Sequence, residues 1–274
     1  MNMEHFQWMA QLNDADLRLD HGALEIARIG YPDLDPEPSI AQLDALAARL
    51  QTRPAAGPDV MDRVKQLTRF LFSEEGFRGN HDDYYDPRNS YLNEVIRRRI
   101  GIPIALGVVL LEVGRRLDLP LEGVAFPGNF LVRVRDGRQE HLLDPFRAGR
   151  VVNRESCQLL LERALGPRIA LEARFLAPLG TRAILARMLR NLKVIFLSKN
   201  ETTCAATVLD ALLLLEPASG MDRRDRGKLR QSQGDLMGAA ADFEAYLLSH
   251  HQAGDADDVR ELLTKVRRHQ ALVN

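Results

Sequence analysis

The chain has 274 residues, enough for two domains or for one domain with an appended repeat. Its 37 basic and 38 acidic side chains leave a formal charge of −1, which excludes a bulk field that recruits nucleic acid or anionic lipid. Two cysteines, Cys157 and Cys204, lie far apart, a usage that fits a reducing cytoplasm and excludes a disulfide framework.

The start, Met1-Asn2-Met3-Glu4-His5-Phe6, has neither the basic flank nor the long apolar run of a signal peptide. Residues up to 75 read as helices. Ile40, Leu43, Leu46, Ala47 and Leu50 recur at three and four, the spacing of one buried helix face. Val60, Val64, Leu67, Phe70 and Leu71 make another such face, with breaks at Asp33 to Pro38 and Pro54 to Pro58.

A polar loop with aromatic residues follows, from Phe77 to Pro87. Asn89 or Ser90 is expected to cap the next helix, whose Leu92, Val95 and Ile96 face inward. Arg97, Arg98 and Arg99 suit its negative end and are read as a solvated face. The apolar run from Ile100 to Leu111 is shorter than the roughly 20 residues that span a bilayer, so it reads as a buried core helix, Ile102 to Leu117, with Pro103 in its first turn. Strands are expected at Leu121 to Phe126, Asn129 to Arg135 and His141 to Leu143, joined by the turn pairs Pro127-Gly128 and Asp136-Gly137. Val151-Val152 reads as one more short strand, Asn153 to Leu165 as helix, and the remainder as helical to the end.

The last third holds an internal repeat. With Pro217 at position 32 of a 34-residue unit, Leu189, Leu192, Phe196, Ala205, Leu209 and Leu212 fall at tetratricopeptide positions. The next unit repeats the register with Gly227, Ala239, Phe243 and Tyr246. Small residues sit where two helices cross and large ones fill the seam. Arg226 stands where an apolar residue is expected, and His251 where Pro is. A capping helix is expected from Asp257 to Ala271.

Three segments carry a family resemblance: Gly76-Phe77-Arg78-Gly79-Asn80 through Tyr84-Tyr85-Asp86-Pro87-Arg88-Asn89-Ser90-Tyr91-Leu92-Asn93, then Arg99-Ile100-Gly101-Ile102-Pro103-Ile104, then Phe126-Pro127-Gly128-Asn129-Phe130-Leu131 with Leu143-Asp144-Pro145-Phe146. They resemble the bacterial SirB-type family over nearly the whole chain. The resemblance implies an α+β fold: a helical N-terminal part and a transglutaminase- or papain-like core with a small antiparallel sheet in residues 1–175, then an all-α tetratricopeptide-like region in 181–274.

A thiol hydrolase on this frame places Cys at the helix start, His on the second strand and Asp or Asn on the third. Here the helix start offers Pro103, Ile104 and Ala105, and Asn129 stands where the family pattern usually has His. Only Asp144 has the right type. An amide cannot take and return a proton as the partner of a thiolate must. Asn129, Asp144 and Ala105 are therefore read as the remnant of a cleft, with Asn129 and Asp144 hydrogen-bonded across neighbouring strands. Cys157 and Cys204 are read as inert.

In the loop, Tyr84 and Tyr85 are expected to pack on the core with the acids toward solvent. The other reading makes the loop a partner-binding surface built from Tyr84, Tyr85, Asp86, Arg88 and Asn89. The spacing of His81, Asp82, Asp83 and Asp86 matches no metal site, and no phosphate loop or cofactor motif is present. The expectation is a cytoplasmic, non-catalytic protein that binds a protein or peptide through the loop and the repeat helices, in a regulatory or scaffolding role, with no membrane or nucleic-acid partner. The alternative is a divergent hydrolase or amidase in which Asp144, helped by His141, serves as general acid or base.

Overall fold

The computed structural model describes residues 3–273 apart from 55 and 138. The N-terminal reading at Met1 and Asn2, and Ala55 within the break at 54–58, lie outside the described residues. The chain divides into two compact units, Met1–Asn191 and Leu192–Asn274.

The first unit opens with helices α1 (Met3–Gln11), α2 (Leu19–Ala27), α3 (Glu37–Gln51) and α4 (Val60–Arg69), the last running into a π turn at Phe70–Glu74. On α3 the residues expected at three and four, Ile40, Leu43, Leu46, Ala47 and Leu50, are the buried ones. Strand β1 (Arg78–Gly79) pairs in parallel with β2 (Ile100–Gly101), and α5 (Leu92–Arg98) lies between them in sequence. The cap expected at Asn89 or Ser90 is not formed, because α5 starts at Leu92 with no side-chain cap. The capping side chain acts one turn earlier, where Asp86 accepts the Arg88 N–H of a 3₁₀ turn, Pro87–Asn89.

Helix α6 (Pro103–Arg116) is buried all round from Pro103 to Gly114. A helix apolar on every face belongs in a core, and this one supports the sheet. The sheet has the order β6-β5-β4-β3-β7, all antiparallel, with β3 (Leu121–Val124), β4 (Leu131–Asp136), β5 (Gln139–Asp144), β6 (Arg150–Val152) and β7 (Pro178–Leu179). Strand β4 is buried on both faces from Leu131 to Val134. On one side Val124, Phe126 and Leu131 pack with Cys157 and Leu161 of α7 (Arg154–Leu165), which Asn153 caps through the Ser156 N–H. Asn129 precedes β4 rather than opening it. The stretch after Leu165, expected to be helical throughout, instead holds a 3₁₀ turn, Ala173–Leu176, and β7, whose two residues complete the sheet edge beside β3.

Helix α8 (Thr181–Ser198) runs into the second unit, which continues with α9 (Thr202–Leu215), α10 (Gly220–Ser232), α11 (Leu236–Ser249) and α12 (Ala256–Val273). The repeat register is the packing observed. A Cβ on Gly227 of α10 would lie 2.6 Å from the Phe243 ring of α11, so only glycine allows that crossing. Ala239, Phe243 and Tyr246 meet Val259, Leu263 and Val266 of α12 in one cluster. Arg226, at its apolar position, is held by Asp242 of α11 at 2.7 Å and Asp210 of α9 at 2.8 Å. Arg224 pairs with Asp225 and Asp255. These arginines are ion-pair anchors. Among the described residues no helix is long and apolar enough to cross a membrane.

Candidate functional site

The loop from Gly79 to Ser90 is built around one buried amide. Asn89 is fully buried. Its Nδ2 donates to the Asp83 carbonyl at 2.7 Å, its Oδ1 accepts from Asn80 Nδ2 at 3.2 Å, and its carbonyl accepts the Ile102 N–H at 3.1 Å. Asn80 Oδ1 in turn accepts the N–H groups of Asp82 and Asp83. Buried amides need partners on both ends, and here the partners fix the loop onto the start of α6.

Asp86 is buried as well, against the expectation that the loop's acids face solvent; Asp82 and Asp83 do face it. Asp86 takes Arg88 at 2.8 Å and Arg98 at 3.6 Å. Burial pushes its carboxyl up, but the Arg88 donors and the charges of Arg88 and Arg98 outweigh that and hold it below the ordinary carboxylate range. Arg97 pairs with Glu94 and Arg99 with Glu75, so the arginine run expected on a solvated face is largely spent on carboxylates.

Aromatic rings cover the loop. Phe146 packs over Gly79, where a Cβ would lie 2.5 Å from its ring. His81 lies 4.6 Å from Phe146 between ring centroids, Tyr84 lies 6.0 Å from it, and Tyr84 meets Tyr85 edge-on at 5.4 Å. Tyr85 is 58% exposed and Tyr84 39%. Desolvation at Tyr84 pushes its phenol up.

Beside this loop lie Asn129, Asp144 and Ala105, the residues expected to be the remnant of a cleft. Asp144 is buried at the end of β5. Asn129 Nδ2 donates to its Oδ2 at 3.2 Å, and the N–H groups of Phe146 and Arg147 donate to its Oδ1 at 3.0 and 3.3 Å. Ala105 is fully buried on α6. Cys157 is buried among apolar side chains of α7 and the sheet, and burial pushes its thiol up. Burial does the same at Cys204. Neither thiol hydrogen-bonds to a histidine among the described residues. No group of three or more His, Cys, Asp and Glu side chains among the described residues could hold a metal ion.

The structure thus joins Tyr84, Tyr85, Asp86, Arg88 and Asn89 in one loop, and Asn129 with Asp144 in one hydrogen-bond cluster. Sequence reasoning missed three neighbours. Phe146 and His81 meet as tilted rings, although only the adjacency of Phe146 to Asp144 was visible. Arg187 of α8 is half-buried, with its Nη2 3.5 Å from the Asn129 carbonyl. Burial lowers its pKa while the neighbouring Tyr84 opposes that. Nothing in its surrounding sequence marked it.

Comparison with known proteins adds the following. The transglutaminase-like superfamily matches residues 37–190, and the tetratricopeptide repeat matches residues 192–264. A UPF0162 protein of Xylella fastidiosa strain 9a5c is 38% identical over 255 residues, 92% of this chain and 91% of that protein. One from Vibrio cholerae is 30% identical over 246 residues, 88% of this chain and 90% of its own length. F-box only protein 21 of Mus musculus is 33% identical over 141 residues, 48% of this chain and 21% of that protein. No solved structure matches.

Proposed function

The chain belongs to the SirB-type (UPF0162) family, a transglutaminase-like domain followed by tetratricopeptide repeats, and from that premise we propose that it works by binding a protein or peptide and not by catalysis. One observation carries the reading. Where a thiol hydrolase keeps its proton-transfer machinery, Asp144 has both oxygens occupied by Asn129 Nδ2 and two backbone N–H groups. A carboxylate so engaged is a structural acceptor, and an amide beside it cannot shuttle protons. Buried Cys157 and partly exposed Cys204, both raised by desolvation, supply no thiolate nearby.

Two surfaces suit the binding role. Exposed Tyr85 and half-covered Tyr84 stand on a loop fixed from beneath by Asn89, so little order remains to be gained when a partner docks. Stacked helix pairs present an extended surface, and Met221 and Met237 of the repeat helices are exposed, at 61% and 80%. The role is regulatory or scaffolding, in the cytoplasm. Occurrence of a similar segment, 21% of the length of F-box only protein 21, supports a module that also serves within longer chains.

The test is a photo-cross-linking side chain at position 85 in the cells that make the protein. Discrete adducts with other proteins are expected, weakened by Tyr84→Ala. Absence of adducts, together with amide or ester turnover abolished by Asp144→Asn, would replace this reading with the hydrolase alternative.

A further inference from the structure

Next to the Tyr84 loop, β1, the Phe146 turn and β6 enclose a groove of ≈ 540 Å³. Its floor is aromatic, with Phe72, Phe77 and Phe146, while Arg78, Arg147 and Arg150 stand around it with His81. Most arginines near this site are already committed to carboxylates: Arg88 and Arg98 to Asp86, Arg97 to Glu94 and Arg99 to Glu75. Arg78 and Arg150 are different. Both are exposed, and among the described residues neither makes an ion pair or a side-chain hydrogen bond. Arg147 sits 3.8 Å from Asp144, whose Oδ1 already accepts two backbone N–H groups. Asp82 is the one acid on the lining. In a chain whose charges otherwise balance, three guanidinium groups with spare donors around one concavity leave a local positive excess that an anionic ligand would neutralise.

We propose that this groove receives an acidic peptide segment of a partner protein, its carboxylates paired with Arg78 and Arg150 and its backbone lying over the Phe146 turn. The proposal rests on the binding role above and gives that role its chemistry. Guanidinium groups match carboxylates as two-pronged donors. A single-stranded nucleic acid fits less well. It needs open ring faces for its bases, whereas Phe146 is covered by Gly79, His81 and Tyr84, and Phe77 by the Arg99 guanidinium at 4.5 Å. Asp82 and Asp83 at the loop also oppose a continuous phosphate chain, while discrete carboxylates can avoid them.

The experiment measures binding of the full chain to a short fluorescein-labelled oligoglutamate peptide by anisotropy. Oligolysine, oligothymidylate and inorganic phosphate serve as comparisons. Saturable oligoglutamate binding is expected, weakened by about tenfold or more in Arg78→Glu and in Arg150→Glu, as for a lost charge-assisted hydrogen bond. Arg78→Gln and Arg150→Gln should fall between these and the parent. Because neither arginine has a partner to lose, the melting temperature should not move, and a variant that fails to melt cooperatively is replaced by its glutamine counterpart. The proposal is overturned if oligoglutamate binds no better than oligolysine, or if both charge reversals leave its affinity unchanged. It is also overturned if oligothymidylate or phosphate displaces it at equal concentration. Adducts at position 85 separate the two levels of the claim. If they persist while oligoglutamate fails to bind, only the groove assignment is lost; if they vanish as well, the binding role goes with it.

Discussion

At the scale of single residues, Asp144 stays buried with a neutral amide, that of Asn129, as its side-chain hydrogen-bond donor. The Asn129 amide supplies a neutral donor at 3.2 Å, and the nearest guanidinium, that of Arg147, stands off at 3.8 Å. Asn129→Asp therefore tests the cluster. It places a second carboxylate beside the first, and like charges at that distance raise one folded-state pKa above its unfolded value of about 3.9. The sign follows directly. A group whose carboxyl is raised on folding destabilises the fold above its unfolded pKa and stops doing so below it. The variant should lose about 1–3 kcal/mol at pH 7 and recover most of it below about pH 4, where the introduced carboxyl, once protonated, can donate to Asp144 as the amide did. Melting curves of parent and variant at the two pH values check this. An equal loss at both would mean that packing, not charge, is at stake. The Asn129–Asp144 bond was legible because the two residue types complement each other on adjacent segments. The burial of Asp86 and Asn89 was not, since a polar loop gives no sign of which of its groups turns inward until its partners, Asn80 and Arg98, are folded beside it.

At the scale of elements, what the sequence displays depends on how far a pattern extends. The α3 face and the Gly227–Phe243 crossing were readable because periodicity repeats over several turns, and α6 because its apolar run continues from Ile100 to Leu111. Strand β7 was not, because two residues carry no period and owe their extended form entirely to pairing with β3. The ion pairs of the α10 arginines have no period either: apart from Asp225, their acids lie on α9, α11 and the turn before α12. A larger network of the same kind joins α2, α3 and α6. Asp20, fully buried, accepts from Arg18 at 2.9 Å and from Arg116 at 2.8 Å, and Arg116 also reaches Asp44 of α3 and Glu112. Burial pushes the Asp20 carboxyl up, but hydrogen bonds from Arg18, His21 and Arg116 outweigh it and hold it well below the ordinary range. A carboxyl lowered on folding adds stability above its unfolded pKa and loses it as pH falls toward the folded one. Asp20→Asn removes one partner of a buried network, which should cost about 3 kcal/mol at neutral pH. The gap to the parent should narrow once pH drops below about 4. Denaturation midpoints across that range are the measurement, and a gap constant from neutral to acid would show that Asp20 acts through shape alone.

At the scale of the whole molecule, two cores stand where the resemblance and the repeat register called for two kinds of architecture. The first is organised by α6 and its sheet, the second by the seams between successive helices. Each repeat seam is closed by the next helix, so the last one depends on α12. Val259, Leu263 and Val266 of that helix cover Ala239, Phe243 and Tyr246, and Asp255 just before it receives the Tyr246 hydroxyl and Arg224. Two repeat units are too few to stand without such a cap. Ending the chain before Ala256 should therefore expose Phe243 and Tyr246 and melt α10 and α11, seen as lost far-ultraviolet helical signal. Helix α6, buried from Pro103 to Gly114, lies in the first unit, so amide hydrogen exchange along it reports that core separately. Its protection should match that of the parent chain, because the contacts that hold α6 and its sheet lie before residue 192. Full retention of helical signal after the truncation would show that the repeats need no cap. Loss of exchange protection along α6 would show that the first core is not self-sufficient.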